Sequence, residues 1–233
     1  MSKQFSKIAV VGLGYVGLPL SLQFARSGVS VLGIDLDSNK VDSINKGVSY
    51  LKHFSSESIA EQVNTGRFEA TSESSRISEV EAILICVPTP LNEYREPDLS
   101  FVLDTAETLA PYLPNGVLVT LESTTYPGTT EDELRIVLEE GSGKKAGVDF
   151  HLAYSPERED PGREDASVKT IPKVVGGYTQ KCCDHAADLY SLGIDVIHRV
   201  SSCRVAEATK LLENIFRSVN IALVNELKVV YEA

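Results

Sequence analysis

Three glycines, Gly12, Gly14 and Gly17, stand between an apolar run, Lys7-Ile8-Ala9-Val10-Val11, and a helical pattern of Leu18, Leu20, Leu22, Phe24 and Ala25. The G-x-G-x-x-G spacing says little alone, since glycine-rich turns are common. Between a strand and a helix it forms a cradle for a dinucleotide pyrophosphate. Gly12 permits the tight turn, Gly14 lets phosphate approach a backbone without a Cβ, and Gly17 lets the helix pack closely on the strand. The N–H groups at the helix start, with Tyr15 and Val16 between the glycines, then face the phosphates, and the helix dipole favours their charge.

A second apolar run, Ser30-Val31-Leu32-Gly33-Ile34, ends at Asp35. That is about twenty residues past the glycines, where a ribose-binding acid belongs. The plainer reading of Asp35 is an N-cap for a helix starting near Ser38. An acid here accepts a bond from a 2′-hydroxyl and repels a 2′-phosphate, which favours NAD over NADP.

Other polar residues cluster where apolar runs stop. They are Pro88-Thr89-Pro90, then Glu122-Ser123-Thr124-Thr125-Tyr126-Pro127-Gly128, then Tyr154-Ser155-Pro156-Glu157-Arg158-Glu159-Asp160-Pro161-Gly162. Each alone is ordinary turn and cap chemistry. Together they occupy the strand ends where open α/β sheets place ligands. Near the C-terminus, Lys210 and Asn214 are four residues apart and so share a helix face, with Arg217 a turn beyond. A lysine against apolar surface can become a proton acceptor; the plainer reading is a snorkelling Lys beside a solvated Asn.

The elements that must position these residues alternate. Strands are expected near 7–12, 30–35, 68–71, 82–87, 116–120, 148–153, 173–177 and 195–198. Helices are expected near 16–27, 38–46, 100–110, 129–139 and 179–191, with a short helical piece ending near Gly66. This alternation implies an α/β fold: a doubly wound, mostly parallel Rossmann-type sheet covered on both faces by helices. From about 202 to 232 there is no Gly or Pro, and Val205, Ala208, Leu211, Leu212, Ile215, Phe216, Val219, Ala222, Leu223 and Leu227 recur at helical spacing. Some thirty residues make a helix of about 45 Å. Its apolar residues spread too widely for one contact, so a second partner is expected. The expected division is a dinucleotide-binding domain over 1–200 and the start of a long connecting or dimerisation helix over 201–233.

The 233 residues carry 22 basic and 33 acidic side chains, a formal charge of −11. That balance disfavours nucleic acid and anionic membranes as partners. No stretch approaches the ~20 apolar residues of a membrane span, and the N-terminal apolar run is not of signal-peptide type, so a cytoplasmic location is expected. The four cysteines, Cys86, Cys182, Cys183 and Cys203, make no C-x-x-C pair, and the four histidines lack ligand spacing. No metal is expected, and a reducing compartment is.

The ordered set Val10-Val11-Gly12-Leu13-Gly14-Tyr15-Val16-Gly17-Leu18-Pro19, Cys86-Val87-Pro88-Thr89-Pro90, Ser123-Thr124, Ser155-Pro156-Glu157 and Lys210-Leu211-Leu212-Glu213-Asn214 resembles the UDP-glucose/GDP-mannose dehydrogenase family of nucleotide-sugar dehydrogenases. The resemblance extends over essentially the whole chain. It implies oxidation of a sugar C6 alcohol to a carboxylate, with two NAD⁺ reduced in turn. It implies that Gly12, Gly14, Tyr15, Val16 and Gly17 line the cofactor, that Asp35 and Lys40 hold the adenosine ribose, and that Thr89 and Thr124 lie along the cofactor. Glu157 would sit beside the reacting sugar. Lys210 and Asn214 would stabilise the developing oxyanion, with Lys210 or a positioned water assisting proton removal. A cysteine thiolate would then hold the aldehyde before the second hydride leaves.

Two departures from the family pattern stand out. The family's nucleophilic cysteine lies in a G-G-H-C-type motif beyond the long helix, and the 233 residues contain none; the resemblance implies that the UDP-sugar-binding domain would follow that helix and is not among these residues. The chain is therefore similar to the N-terminal portion of the family. The branch acting on UDP-glucose has an acid four residues after the Ser-Pro-Glu glutamate, where Pro161 stands here, so the segment is more similar to the branch oxidising UDP-N-acetyl-glucosamine or -galactosamine. Two other readings remain open: a hydroxyacid dehydrogenase of the related Lys-x-x-x-Asn group, and a non-catalytic NAD-binding or assembly module. A homodimer through the long helix is expected.

Overall fold

The computed structural model describes residues 5–51, 54–94, 96–157 and 168–232. One eight-stranded sheet organises the chain, in the order β3-β2-β1-β4-β5-β6-β7-β8. Its strands are β1 (Lys7–Val11), β2 (Ser30–Ile34), β3 (Phe68–Thr71), β4 (Ala82–Ile85), β5 (Leu118–Leu121), β6 (His151–Tyr154), β7 (Lys173–Gly177) and β8 (Ile197–Val200). All neighbours run parallel except β6 and β7, which are antiparallel. The helices are α1 (Gly17–Arg26), α2 (Ser38–Asn45), α3 (Ser56–Asn64), α4 (Ser100–Leu109), α5 (Arg135–Ser142), α6 (Gln180–Tyr190) and α7 (Cys203–Glu232).

The central strands β1 and β4 read as continuous apolar runs because both faces of the sheet are covered there. Ile8 and Val10 of β1 and Ala82 and Leu84 of β4 join one core with Leu18, Leu22 and Phe24 of α1 and with Ala186, Leu189 and Tyr190 of α6. Ala9, Val11, Ile83 and Ile85 point the other way, into a core with Val102 and Ala106 of α4 and Leu138 of α5. The two-residue strand period thus feeds two layers at once.

Element boundaries depart from the sequence expectation in several places; β5 starts at Leu118 where 116 is expected, and β4 stops at Ile85 where 87 is expected. The strand expected at 148–153 begins only at His151, because the Gly147 N–H donates to the Phe150 carbonyl at 2.7 Å and closes a turn there. The helix expected at 129–139 opens as a wide π-helical turn, Thr129–Leu134, before α5. The last strand lies at Ile197–Val200, two residues later than expected, where its backbone pairs with β7.

That wide turn receives α7. Glu207, fully buried on α7, accepts bonds from the Gly128 N–H (2.7 Å), the Thr130 N–H (2.9 Å) and the Thr130 hydroxyl (2.7 Å). Burial pushes its carboxyl up, while the Gly128 and Thr130 donors pull it down. Cys203 and Ala206 are buried alongside. Beyond them the helix leaves the core: Leu212, Phe216, Val219, Leu223 and Val224 are all more than half exposed.

Glu207→Gln turns one acceptor into a donor that faces the Gly128 N–H. A stability loss of about 2 kcal/mol is expected from a buried donor left unmatched, read as a lower urea midpoint. A change below about 0.5 kcal/mol would mean that apolar contact alone docks α7.

Candidate active site

The glycine loop follows β1 directly. Gly12 has φ +92°, and a Cβ there would lie 2.8 Å from the Cys86 carbonyl oxygen on β4's extension. A Cβ on Gly17 would fall 1.9 Å from the Gly12 carbonyl oxygen. At Gly14 the reverse holds: a Cβ would meet nothing within 4 Å. The first and third glycines are therefore demanded by the fold itself, whereas the second faces open space where a pyrophosphate would lie. Helix α1 has no side-chain cap and no acid in its first turn, leaving its positive end to an anion. Tyr15 is exposed, and Val16 packs on the core. These residues fit a dinucleotide.

Asp35 stands at the end of β2. Its Oδ2 accepts from the Leu13 N–H at 2.8 Å and from Lys40 Nζ at 3.0 Å; its Oδ1 accepts from the Asp37 N–H at 3.0 Å. The cap of α2 is Asp37, which accepts from the Asn39 N–H at 2.9 Å. The N-cap reading of Asp35 is thus corrected: its carboxylate ties the glycine loop to Lys40. Three donors on about four lone-pair positions leave capacity for a ribose hydroxyl. Tyr50 donates from its hydroxyl to the Leu13 carbonyl.

The parallel strands bring the other segments to the same edge. Thr89, beyond β4, donates from its hydroxyl to the Thr124 carbonyl at 2.7 Å, and Ser123 donates to the Val87 carbonyl at 2.6 Å. These two bonds lace the loops after β4 and β5 together. After β6, Ser155 donates to the Val174 carbonyl at 2.9 Å. Lys210 of α7 then reaches across 53 positions of chain and donates to the Glu157 carbonyl at 2.6 Å. Asn214, one turn further along, is exposed. Residues 158–162, which continue the Ser-Pro-Glu segment and include Pro161, lie outside the described residues.

Sequence reasoning gave no role to a buried trio beneath this edge. Glu122 lies just past β5, Lys173 opens β7, and Tyr190 closes α6. Lys173 Nζ pairs with Glu122 Oε2 at 2.6 Å, and the Tyr190 hydroxyl donates to Glu122 Oε1. Burial pushes the Glu122 carboxyl up, against the pull of Lys173. Burial opposes the Lys173 charge, but Glu122 and Glu157 outweigh it and hold the ammonium above its ordinary value. A sequence signal did exist: a lysine opening the apolar run Val174-Val175 and a glutamate closing another, Leu118-Val119-Thr120-Leu121, are charges at strand ends that burial forces to pair.

All four cysteines are free and buried. Burial pushes the thiols of Cys86 and Cys203 well up, and that of Cys183 up. Such thiols are poor nucleophiles.

The glycine geometry separates folding from binding. Gly14→Ala is expected to leave the thermal midpoint within about 2 °C while weakening NAD⁺ at least about tenfold by calorimetry, a loss of about 1.4 kcal/mol. Gly17→Ala is expected to destabilise the fold itself. Tight NAD⁺ binding by folded Gly14→Ala would show that the pyrophosphate does not cross that point.

Comparison with known proteins gives the same reading. Residues 6–193 match the model of the UDP-glucose/GDP-mannose dehydrogenase family, NAD binding domain. The UDP-N-acetyl-D-glucosamine 6-dehydrogenase of Salmonella typhi is 38% identical over 227 residues, which are 97% of this chain and 52% of that protein. The solved UDP-D-ManNAc dehydrogenase of Pyrococcus horikoshii is 38% identical with a TM-score of 0.88, covering 94% of this chain and 52% of that one. A 3-hydroxyisobutyrate dehydrogenase of Mycobacterium tuberculosis, 16% identical with a TM-score of 0.70 over 98% of this chain and 66% of that one, shares the fold alone. The chain spans about half the length of the curated relatives it matches. The match of residues 6–193 to that family model, over most of the chain, makes it a member of the UDP-glucose/GDP-mannose dehydrogenase family carrying that family's NAD-binding domain.

Proposed function

We propose that this chain supplies the cofactor half of an NAD⁺-dependent UDP-N-acetylhexosamine 6-dehydrogenase. The observation that carries the reading is the Lys210–Glu157 bond of 2.6 Å. It brings α7 onto the edge that holds the glycine loop, Thr89 and Thr124. The names of the relatives support the substrate class.

When bound, NAD⁺ accepts a hydride. In the first oxidation the primary alcohol at C6 gives up that hydride and a proton, leaving an aldehyde. In the second, the hydrated or thiol-held aldehyde gives up another hydride, and water supplies the second carboxylate oxygen. The chain's own residues do the rest. Asp35 and Lys40 orient the adenosine end. Thr89 and Thr124 hold the loops that flank the nicotinamide. The Lys210 ammonium, with Asn214 one turn on, stabilises negative charge growing on the C6 oxygen, with Lys210 or a water it holds assisting proton removal. Charge-directed donors of this kind gain strength where water is excluded. Glu157 lies beside the sugar. A covalent aldehyde step calls for a thiol other than the four buried here.

In a complete protein containing this chain, two NADH are expected per UDP-N-acetylhexosamine consumed, with UDP-glucose a poor substrate. Lys210→Ala is expected to lower kcat by about 10²-fold with the Kd for NAD⁺ unchanged. Turnover of a small 3-hydroxyacid instead would favour the hydroxyacid reading, and NAD⁺ binding without any turnover the assembly-module reading.

The proposal extends to a homodimer in a reducing, cytoplasmic setting. Phe216, Val219, Leu223 and Val224 on α7 are exposed at 55–69%, and no helix among the described residues is long and apolar enough to cross a membrane. A second copy of α7 would cover this surface under two-fold symmetry. Sedimentation is expected to show a dimer that Phe216→Glu with Leu223→Glu converts to monomer; a monodisperse wild-type monomer at high concentration would overturn it.

A further inference from the structure

The Glu122–Lys173 pair is the most deeply buried ion pair among the described residues, with side chains 0% and 6% exposed. Such a pair is weak support for stability, because desolvation offsets much of the attraction. Its placement suggests a different use. Lys173 has three donors. One goes to Glu122; the others face the carbonyls of Pro156 at 3.3 Å and Ser155 at 3.5 Å. Those carbonyls belong to the Ser-Pro-Glu turn, and the next carbonyl, that of Glu157, is the acceptor for Lys210. Glu122 immediately precedes Ser123 and Thr124, which are laced to the loop after β4. The pair therefore sits at the root of two site segments on neighbouring strands.

We propose that Glu122 and Lys173 are positioning residues: the buried pair clamps the Ser-Pro-Glu turn against the loop after β5, and so sets where the Lys210 ammonium stands. The path is continuous, from Glu122 to Lys173, to the carbonyls of residues 155 and 156, to the Glu157 carbonyl, to Lys210. Both residues act through the turn and not on cofactor or substrate directly. The inference rests on the reading of Lys210 as a site residue.

The test replaces both charges together, so that neither is left buried alone, with Glu122→Gln/Lys173→Met. Two readouts are taken: NAD⁺ affinity by calorimetry, and the rate at which Lys210 is modified by an amine-selective acylating reagent, by peptide mass spectrometry. The double variant is expected to fold and to bind NAD⁺ within about twofold of wild type, because the glycine loop and Asp35 lie on other strands. Lys210 is expected to react about tenfold faster, the worth of one charged hydrogen bond loosened. In a complete protein kcat is expected to fall by a similar factor with KM for NAD⁺ unchanged. Tyr190→Phe is the control: it removes a partner of Glu122 but none of the bonds from Lys173 to the turn. It is expected to lower the thermal midpoint and leave Lys210 reactivity at the wild-type rate. Unchanged Lys210 reactivity in the double variant, or an equal rise in Tyr190→Phe, overturns the proposal. A chain that binds no NAD⁺ would remove the functional reading but leave the labelling comparison intact, so the two fail separately.

Discussion

The parallel pairing of β1, β4, β5 and β6 is the constraint from which the site follows. Parallel strands must all end at the same edge, and each crossover helix returns the chain to the opposite edge before the next strand starts. Residues 12–17, 86–90, 122–128 and 155–157 are therefore brought together by backbone hydrogen bonding alone, whatever their side chains. Side chains then refine the arrangement. Thr89 and Ser123 join two loops, Ser155 fastens a third to β7, and Glu207 docks the helix that carries Lys210. Without the common edge, none of these short bonds could form between residues so far apart in the chain.

The glycine loop illustrates how folding and binding divide the same motif. Gly12 and Gly17 are excluded from carrying side chains by backbone oxygens of the protein itself. Gly14 is excluded by nothing in the chain. A residue kept small with no internal reason points to an external one, and the uncapped end of α1 beside it indicates an anion.

Much of this was legible in the sequence, for identifiable reasons. The strands and helices stood out because apolar runs and helical periodicity are local signals. Spacing singled out Asp35 and the family resemblance singled out Lys40, but that the two pair with each other is seen only in the structure. The role of Asp37 as the α2 cap was hidden, because two acids two residues apart fit the same pattern and only backbone geometry separates them. The pairing of Glu122 with Lys173 was hidden more deeply. It joins positions 51 apart, and no periodicity links them; only the reversed direction of β7 does. Glu207 was likewise invisible as a buried group, since it sits among polar and apolar residues at a helix start like any solvated glutamate.

That reversal has a consequence for how the protein can vary. Because β7 runs antiparallel to β6, with Tyr154 opposite Gly176, the ladder carries Lys173 back to the level of Glu157. The two ends of the connection between them are pinned to each other by the sheet, independently of what lies between. A lineage could lengthen, shorten or rewrite that connection while its anchor points keep their places. The connection and the scaffold are in this sense separately inheritable.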